Sequence, residues 1–206
     1  MMANAAKAKT RTFTQKARRA QIVQAAIETL AESGYAKASF TRISQQAKLS
    51  STGMISYHFS GKPELFAEVA GTIIGQAAEF MAARIADEST HRGRLSAYIT
   101  ACFDFIARHP VQTRALMEIV RMVQDGHITG LDDVEDSVTS VDGLVELLEQ
   151  GCAAGEFGTF DCPTMALAVR GAMDSVLRHH KCSSPEQLQQ ATRELVAMFD
   201  RCTRPT

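Results

Sequence analysis

Five side chains able to hydrogen-bond, Ser51, Thr52, Ser56, Tyr57 and His58, fall within eight residues of one another. Ile55 and Phe59, in the same stretch, stand four apart, the spacing that puts two apolar side chains on one face of a helix. A helix over 52–59 would be about 12 Å long at about 1.5 Å per residue. That is the width, about 12 Å, of the DNA major groove. Such a helix would turn its polar side outward and anchor itself through the other.

Other clusters build less. His179, His180 and Cys182 have the right atoms for a metal, but adjacent helical residues point about 100° apart. A structural zinc site wants about four ligands, so no metal is expected. Asp132, Asp133, Glu135 and Asp136 read as a solvated loop rather than as paired catalytic carboxylates. No GxGxxG, P-loop, HExxH or GxSxG pattern occurs. The sequence therefore predicts neither an active site nor a cofactor.

The chain has 206 residues, 45% hydrophobic and 22% charged, the balance of a protein with a real core. Its five cysteines, spread over residues 102–202 with no CxxC pair, fit reduced thiols of the cytoplasm better than bridges. No run approaches the roughly 18 apolar residues of a membrane span. Residues 1–17 carry Lys7, Lys9, Arg11 and Lys16 without the apolar stretch of a secretory signal. The net charge of −1 conceals a division. Residues 1–62 hold ten Lys and Arg against Glu28 and Glu32, a net +8, so the remaining 144 residues carry −9. A basic head calls for a polyanion, and the acidic body would repel one.

Almost every periodic stretch reads as helix. Ile22, Val23, Ala26, Ile27 and Leu30 recur at helical spacing, and Gly34 stops the run as a C-cap would. Thr41 caps a short helix carrying Ile43 and Ala47; after a break at Lys48–Ser50, Ser51 or Thr52 can cap another through Phe59. Gly61 closes that one, and Pro63 opens a long helix to about Ala86, with Leu65, Phe66, Val69, Ile73, Ala77, Phe80 and Ile85 on one stripe. Helices are expected over 93–108, 111–124, 137–154, 163–180 and 185–201, with a loop or frayed end over 125–136. The expected fold is all-α with about nine helices. Two short helices joined by a tight break inside a head of charge +8 predict a helix-turn-helix.

Several residues of this head match a known pattern. Gly34-Tyr35, then Phe40-Thr41-Arg42-Ile43-Ser44-Gln45-Gln46-Ala47, then the run Leu49 to Phe59 and Lys62 resemble the DNA-binding domain of TetR/AcrR-family transcriptional repressors. The resemblance covers roughly residues 18–66, with one residue more between Leu49 and Phe59 than the family's commonest spacing. A flexible basic arm is expected over 1–17, and the resemblance implies a helix-turn-helix domain over 18–62 and an effector-binding and dimerisation domain over 63–206. It implies phosphate contacts from Thr41, Tyr57, His58 and Lys62, beside Arg42. Thr52, Gly53, Met54 and Ser56, with Ser51, fall where base edges are met; Met54 has the apolar reach for a thymine methyl.

For the body the resemblance implies an effector pocket in the middle helices and pairing of the last two helices with a second subunit. Phe80, Met81, Phe103, His109, Met117, Arg121 and Met122 are the pocket candidates, which together predict a small, largely apolar effector. Met165, Val169, Ala172, Val176, Leu188, Leu195 and Phe199 are the candidates for a homodimer interface. The expected protein is a cytoplasmic, bacterial, dimeric repressor of a palindromic operator. The competing class is a helical module or enzyme whose basic head meets a membrane or an acidic partner. Its difficulty is that the head's apolar residues are committed to a core, leaving no amphipathic face to insert.

Overall fold

The computed structural model describes residues 2–128, 131–179 and 184–205. Among these are ten α-helices and one 3-10 turn, Tyr35–Lys37, with no strand. The helices are α1 Met2–Ser33, α2 Phe40–Gln46, α3 Gly53–His58, α4 Lys62–Ala86, α5 His91–Arg108, α6 Pro110–Gln124, α7 Asp132–Thr139, α8 Asp142–Ala153, α9 Cys162–His179 and α10 Pro185–Cys202. His180 and Cys182 of the metal-like cluster lie outside the described residues.

Two elements differ from expectation. α1 begins at Met2, so residues 2–17 are helical rather than an unstructured arm. The stretch 2–33 is rich in alanine and contains neither glycine nor proline, so nothing in it interrupts the helix. The expected loop over 125–136 ends in α7, held down by buried Ile128, Leu131 and Val134. Its polar composition masked three apolar anchors spaced three residues apart.

The residues form two compact units, 1–74 with 110–138, and 75–109 with 139–206. The basic head thus shares its unit with α6 and α7, which a boundary at residue 62 had separated from it. In the first unit α1 packs against α2 and α6. Ile22, Val23, Ala26, Ile27 and Leu30 are all buried, as are Ile119 and Val120 of α6. Gly34 ends α1 at φ 71°, a left-handed conformation that glycine adopts without strain, and its N–H returns to the Leu30 carbonyl at 2.9 Å. The Glu118 carboxylate of α6 accepts the next N–H, Tyr35, at 2.9 Å and the Arg121 guanidinium at 3.1 Å.

The second unit is built on α5, which packs against α8 and α10, with α9 against both of those. Leu95, Ile99, Phe103, Leu144, Leu148, Phe157, Ala166, Val169, Met173, Leu188, Leu195 and Phe199 form its core. Gly151 is required by close approach: a Cβ there would lie 2.2 Å from the Phe157 ring.

Candidate nucleic-acid interface

The head's helices are set by local bonds. Ser39, rather than Thr41, caps α2: its Oγ accepts the Arg42 N–H at 3.2 Å. Thr41 is therefore released from capping and is exposed, although its carbonyl accepts the Ser44 hydroxyl at 2.9 Å. α2 closes on Lys48, a non-glycine residue at φ 52°, with the Leu49 N–H bonded back to the Ser44 carbonyl at 2.9 Å. That left-handed residue is the tight break of the helix-turn-helix.

Thr52 stands at the N-cap of α3, and its hydroxyl makes no cap bond. Its carbonyl accepts the Ile55 N–H at 2.9 Å. Ile55 and Phe59 are buried, which turns the rest of the short helix outward. Thr41, Arg42, Ser51, Thr52, Gly53, Ser56 and Tyr57 are exposed, and Met54, His58 and Lys62 half-buried. Tyr57, at 72%, stands among the most exposed large apolar residues. The Ser50 hydroxyl reaches the Met54 sulfur at 3.7 Å, and the Tyr57 and His58 rings meet edge to face, 5.1 Å apart. The Lys62 ammonium lies 5.1 Å from the centroid of the Tyr35 ring.

Four residues supporting this surface were not among the expected ones. Gln15 donates to the Tyr57 hydroxyl at 3.3 Å, and Gln21 donates to the Ala47 carbonyl at the end of α2, at 2.7 Å. Ser39 is the cap already described, legible as a serine ahead of a helical run. Arg19 donates to the His58 carbonyl and to the Glu64 and Glu68 carboxylates, stacked 4.1 Å from the Phe59 ring centroid. The Glu68 hydrogen bond raises the pKa of Arg19 despite partial burial. Ser60, through its N–H at 2.7 Å and its hydroxyl at 2.8 Å, holds the Glu64 carboxyl below the usual range, with Arg19 adding to the effect.

Residues 22–69 match the family model for bacterial regulatory proteins of the tetR family. The head is a tetR-family domain. That family is one of bacterial regulatory proteins, and the matched residues include the α2–α3 helix-turn-helix pair. The chain is 25% identical to a putative transcriptional regulator from Pseudomonas aeruginosa PAO1, covering 90% of this chain and 91% of that one with a TM-score of 0.73. It shares the fold of AibR, solved in complex with isovaleryl coenzyme A and operator DNA (18% identity, 88% and 97% coverage, TM-score 0.71). It likewise shares that of the fatty acid degradation regulator FadR from Bacillus halodurans (18%, 87% and 94%, TM-score 0.73). No curated protein matches the chain.

The other candidates divide between the two units. Phe80, Met81, Phe103 and His109 belong to the second, Met117, Arg121 and Met122 to the first. Phe103 and Met122 are buried, whereas Met117 and Arg121 are exposed on α6. Phe80 meets Phe105 and His109 edge to face, centroids 5.6 and 5.9 Å away, and carries the Arg84 guanidinium at 3.4 Å. A cavity of about 10 Å³ lies elsewhere in the second unit, beside Arg92, Leu95, Ser96, Ile99, Val196, Asp200 and Thr203. It has room for about one water and touches none of the pocket candidates. Of the interface candidates, Val169, Leu188, Leu195 and Phe199 are buried in the chain's own core, while Met165, Ala172 and Val176 are half-buried. Leu167 on α9 and Met198 on α10 are the exposed large apolar residues of those helices. Among the described residues no group of three or more His, Cys, Asp or Glu is placed to hold a metal, and no helix is long and apolar enough to cross a membrane.

Proposed function

We propose that the protein is a dimeric, ligand-responsive transcriptional repressor that reads a palindromic operator through α3. The observation that carries the reading is the α3 surface: Thr52, Gly53, Ser56 and Tyr57 exposed on a helix anchored by Ile55 and Phe59, in a head of charge +8. Thr52, Gly53, Met54 and Ser56, with Ser51, meet base edges; Thr41, Arg42, Tyr57, His58 and Lys62 meet phosphates. Two heads about 34 Å apart would enter successive major grooves.

The second copy docks on the outer face of α9 and α10, which carries exposed Leu167 and Met198, with Met165, Ala172 and Val176 half-buried against the core. Buried Val169, Leu188, Leu195 and Phe199 support that face from within. The effector is small and largely apolar, and it enters the second unit beside Phe80, Met81 and His109. The AibR complex, with an acyl-coenzyme A and operator DNA, supports an effector of partly apolar character. Release requires that the effector bind the non-binding conformation more tightly than the DNA-binding one.

Fluorescence anisotropy on duplex from just upstream of the protein's own gene, at two salt concentrations and with random duplex as competitor, tests the reading. Binding that survives competitor supports it, and the same assay then screens apolar effectors for release. Absence of binding at low salt overturns it.

A further inference from the structure

Ten cations give the head its charge, and charge alone would assign all of them to the nucleic acid. Arg19 is differently employed. Its guanidinium is half-buried between three elements, with every nitrogen committed to this chain. Nε donates to both Glu68 oxygens, at 2.8 and 2.7 Å. One terminal nitrogen donates to the His58 carbonyl, the other to Glu68 and, at 3.2 Å, to Glu64. The flat face of the group covers the Phe59 ring.

The His58 carbonyl belongs to the last turn of α3, where carbonyls lack helical partners and a cation is favourable. α3 has six residues, and only Ile55 of them is buried. So short a helix holds itself poorly. Its exit is fixed from outside, by a planar fork that bonds the carbonyl while lying on the next side chain, a geometry one ammonium cannot reproduce.

We infer that Arg19 is a positioning residue for DNA recognition: it aims the α3 end that carries Tyr57 and His58, and does not itself touch phosphate. The inference rests on the DNA-binding reading above and predicts effects opposite to those of charge. Glu68→Gln makes the head more positive, so bulk electrostatics predicts tighter binding. Loss of the Arg19 clamp predicts weaker binding.

The test is operator anisotropy over a series of salt concentrations, with the binding-competent fraction fixed by stoichiometric titration and folding checked by circular dichroism. Arg19→Gln is expected to lose about tenfold or more in affinity, the scale of a charge-assisted bond. The slope of log K against log salt should stay that of the wild type, because no phosphate contact is removed. Arg19→Lys, which keeps the charge, should resemble Arg19→Gln, and Glu68→Gln should weaken binding. A slope reduced by about one, full rescue by lysine, or tighter binding by Glu68→Gln each overturns the inference. Should Arg19→Gln fail to fold, Arg19→Lys and Glu68→Gln decide the matter. Wild-type protein that binds no duplex overturns the DNA reading and this inference together, whereas wild-type binding with unaffected variants overturns the inference alone.

Discussion

The Lys62 ammonium sits 5.1 Å from the centroid of the Tyr35 ring. Tyr35 in turn meets Phe66 edge to face at 5.5 Å. The side chain is thus half-buried and directed before any ligand arrives, through a contact worth about 0.5–1 kcal/mol at a partly exposed site. For Lys62→Ala we expect weaker binding to every duplex, specific or random, and a salt slope lower by about one unit. An unchanged slope would remove Lys62 from the phosphate contacts. Tyr35→Leu should keep the slope and lose less affinity, since it frees the ammonium without deleting it.

Thr52 differs in kind. Its hydroxyl is exposed and makes no cap bond, so Thr52→Ala removes no intramolecular hydrogen bond of the helix. Thermal stability should change by less than about 0.5 kcal/mol, as at ordinary surface positions. The ranking of operator sequences should change instead. Measurement against a panel of single-base operator variants separates this from uniform weakening, which would demote Thr52 to a bystander.

Gly53 has no intramolecular reason to be glycine. A Cβ there meets only the Ser51 hydroxyl, at 3.5 Å, an ordinary contact. Gly53→Ala should therefore stabilise the fold, by up to about 1 kcal/mol from helix propensity. Operator affinity should nonetheless fall if α3 lies against the duplex at its first turn. A variant that melts higher and binds as well as the wild type would show that nothing approaches this residue closely.

How much of this was legible in the sequence can be judged residue by residue. The buried stripe of α1, the stop at Gly34 and the anchors Ile55 and Phe59 follow from spacing alone, because local periodicity fixes which side of a helix can be dry. Sequence alone points to Thr41 as the cap of α2, since two hydroxyl residues flank Phe40 and only the backbone at Ser39 decides between them. The supporting role of Arg19 is not legible, because its partners, Glu64 and Glu68, lie more than forty positions away in the chain. Val169, Leu188, Leu195 and Phe199 show the same limit: periodicity marks an apolar face without saying whether the protein's own core or a second copy covers it.

Lys48 holds φ 52° without being glycine. A left-handed non-glycine residue costs about 1 kcal/mol, so Lys48→Gly should raise the melting temperature by a few degrees. It also deletes a cation from the turn, and operator affinity should fall while stability rises. A lower melting temperature would mean that the lysine stem contributes more than the strain removes.

Acid should unfold the second unit through identifiable carboxylates. Arg92 and then Arg204 hold the Asp200 carboxyl below its usual range. The His91 side chain and the N–H groups of His91 and Arg92 do the same for Glu156. A depressed folded-state pKa stabilises above the unfolded value and is lost as pH falls through the folded one. The stability these two carboxylates contribute should accordingly be lost below about pH 4. Asp200→Asn should make the drop shallower when unfolding is followed by urea titration at each pH; an unchanged acid limb would assign the transition to other groups.

The first unit is assembled from two stretches of chain, 1–74 and 110–138, with thirty-five residues of the other unit synthesised between them. α1 finds one of its main packing partners in α6, and the N–H of Tyr35 finds its acceptor in Glu118. A nascent chain emerging from the ribosome therefore holds a complete helix-turn-helix sequence well before it holds α6, on which α1 packs. Cotranslational folding of the head waits on codons past those for α6. A fragment cut after Phe59 would leave α1 without α6 and prone to aggregate, although every residue assigned to the operator except Lys62 lies within it.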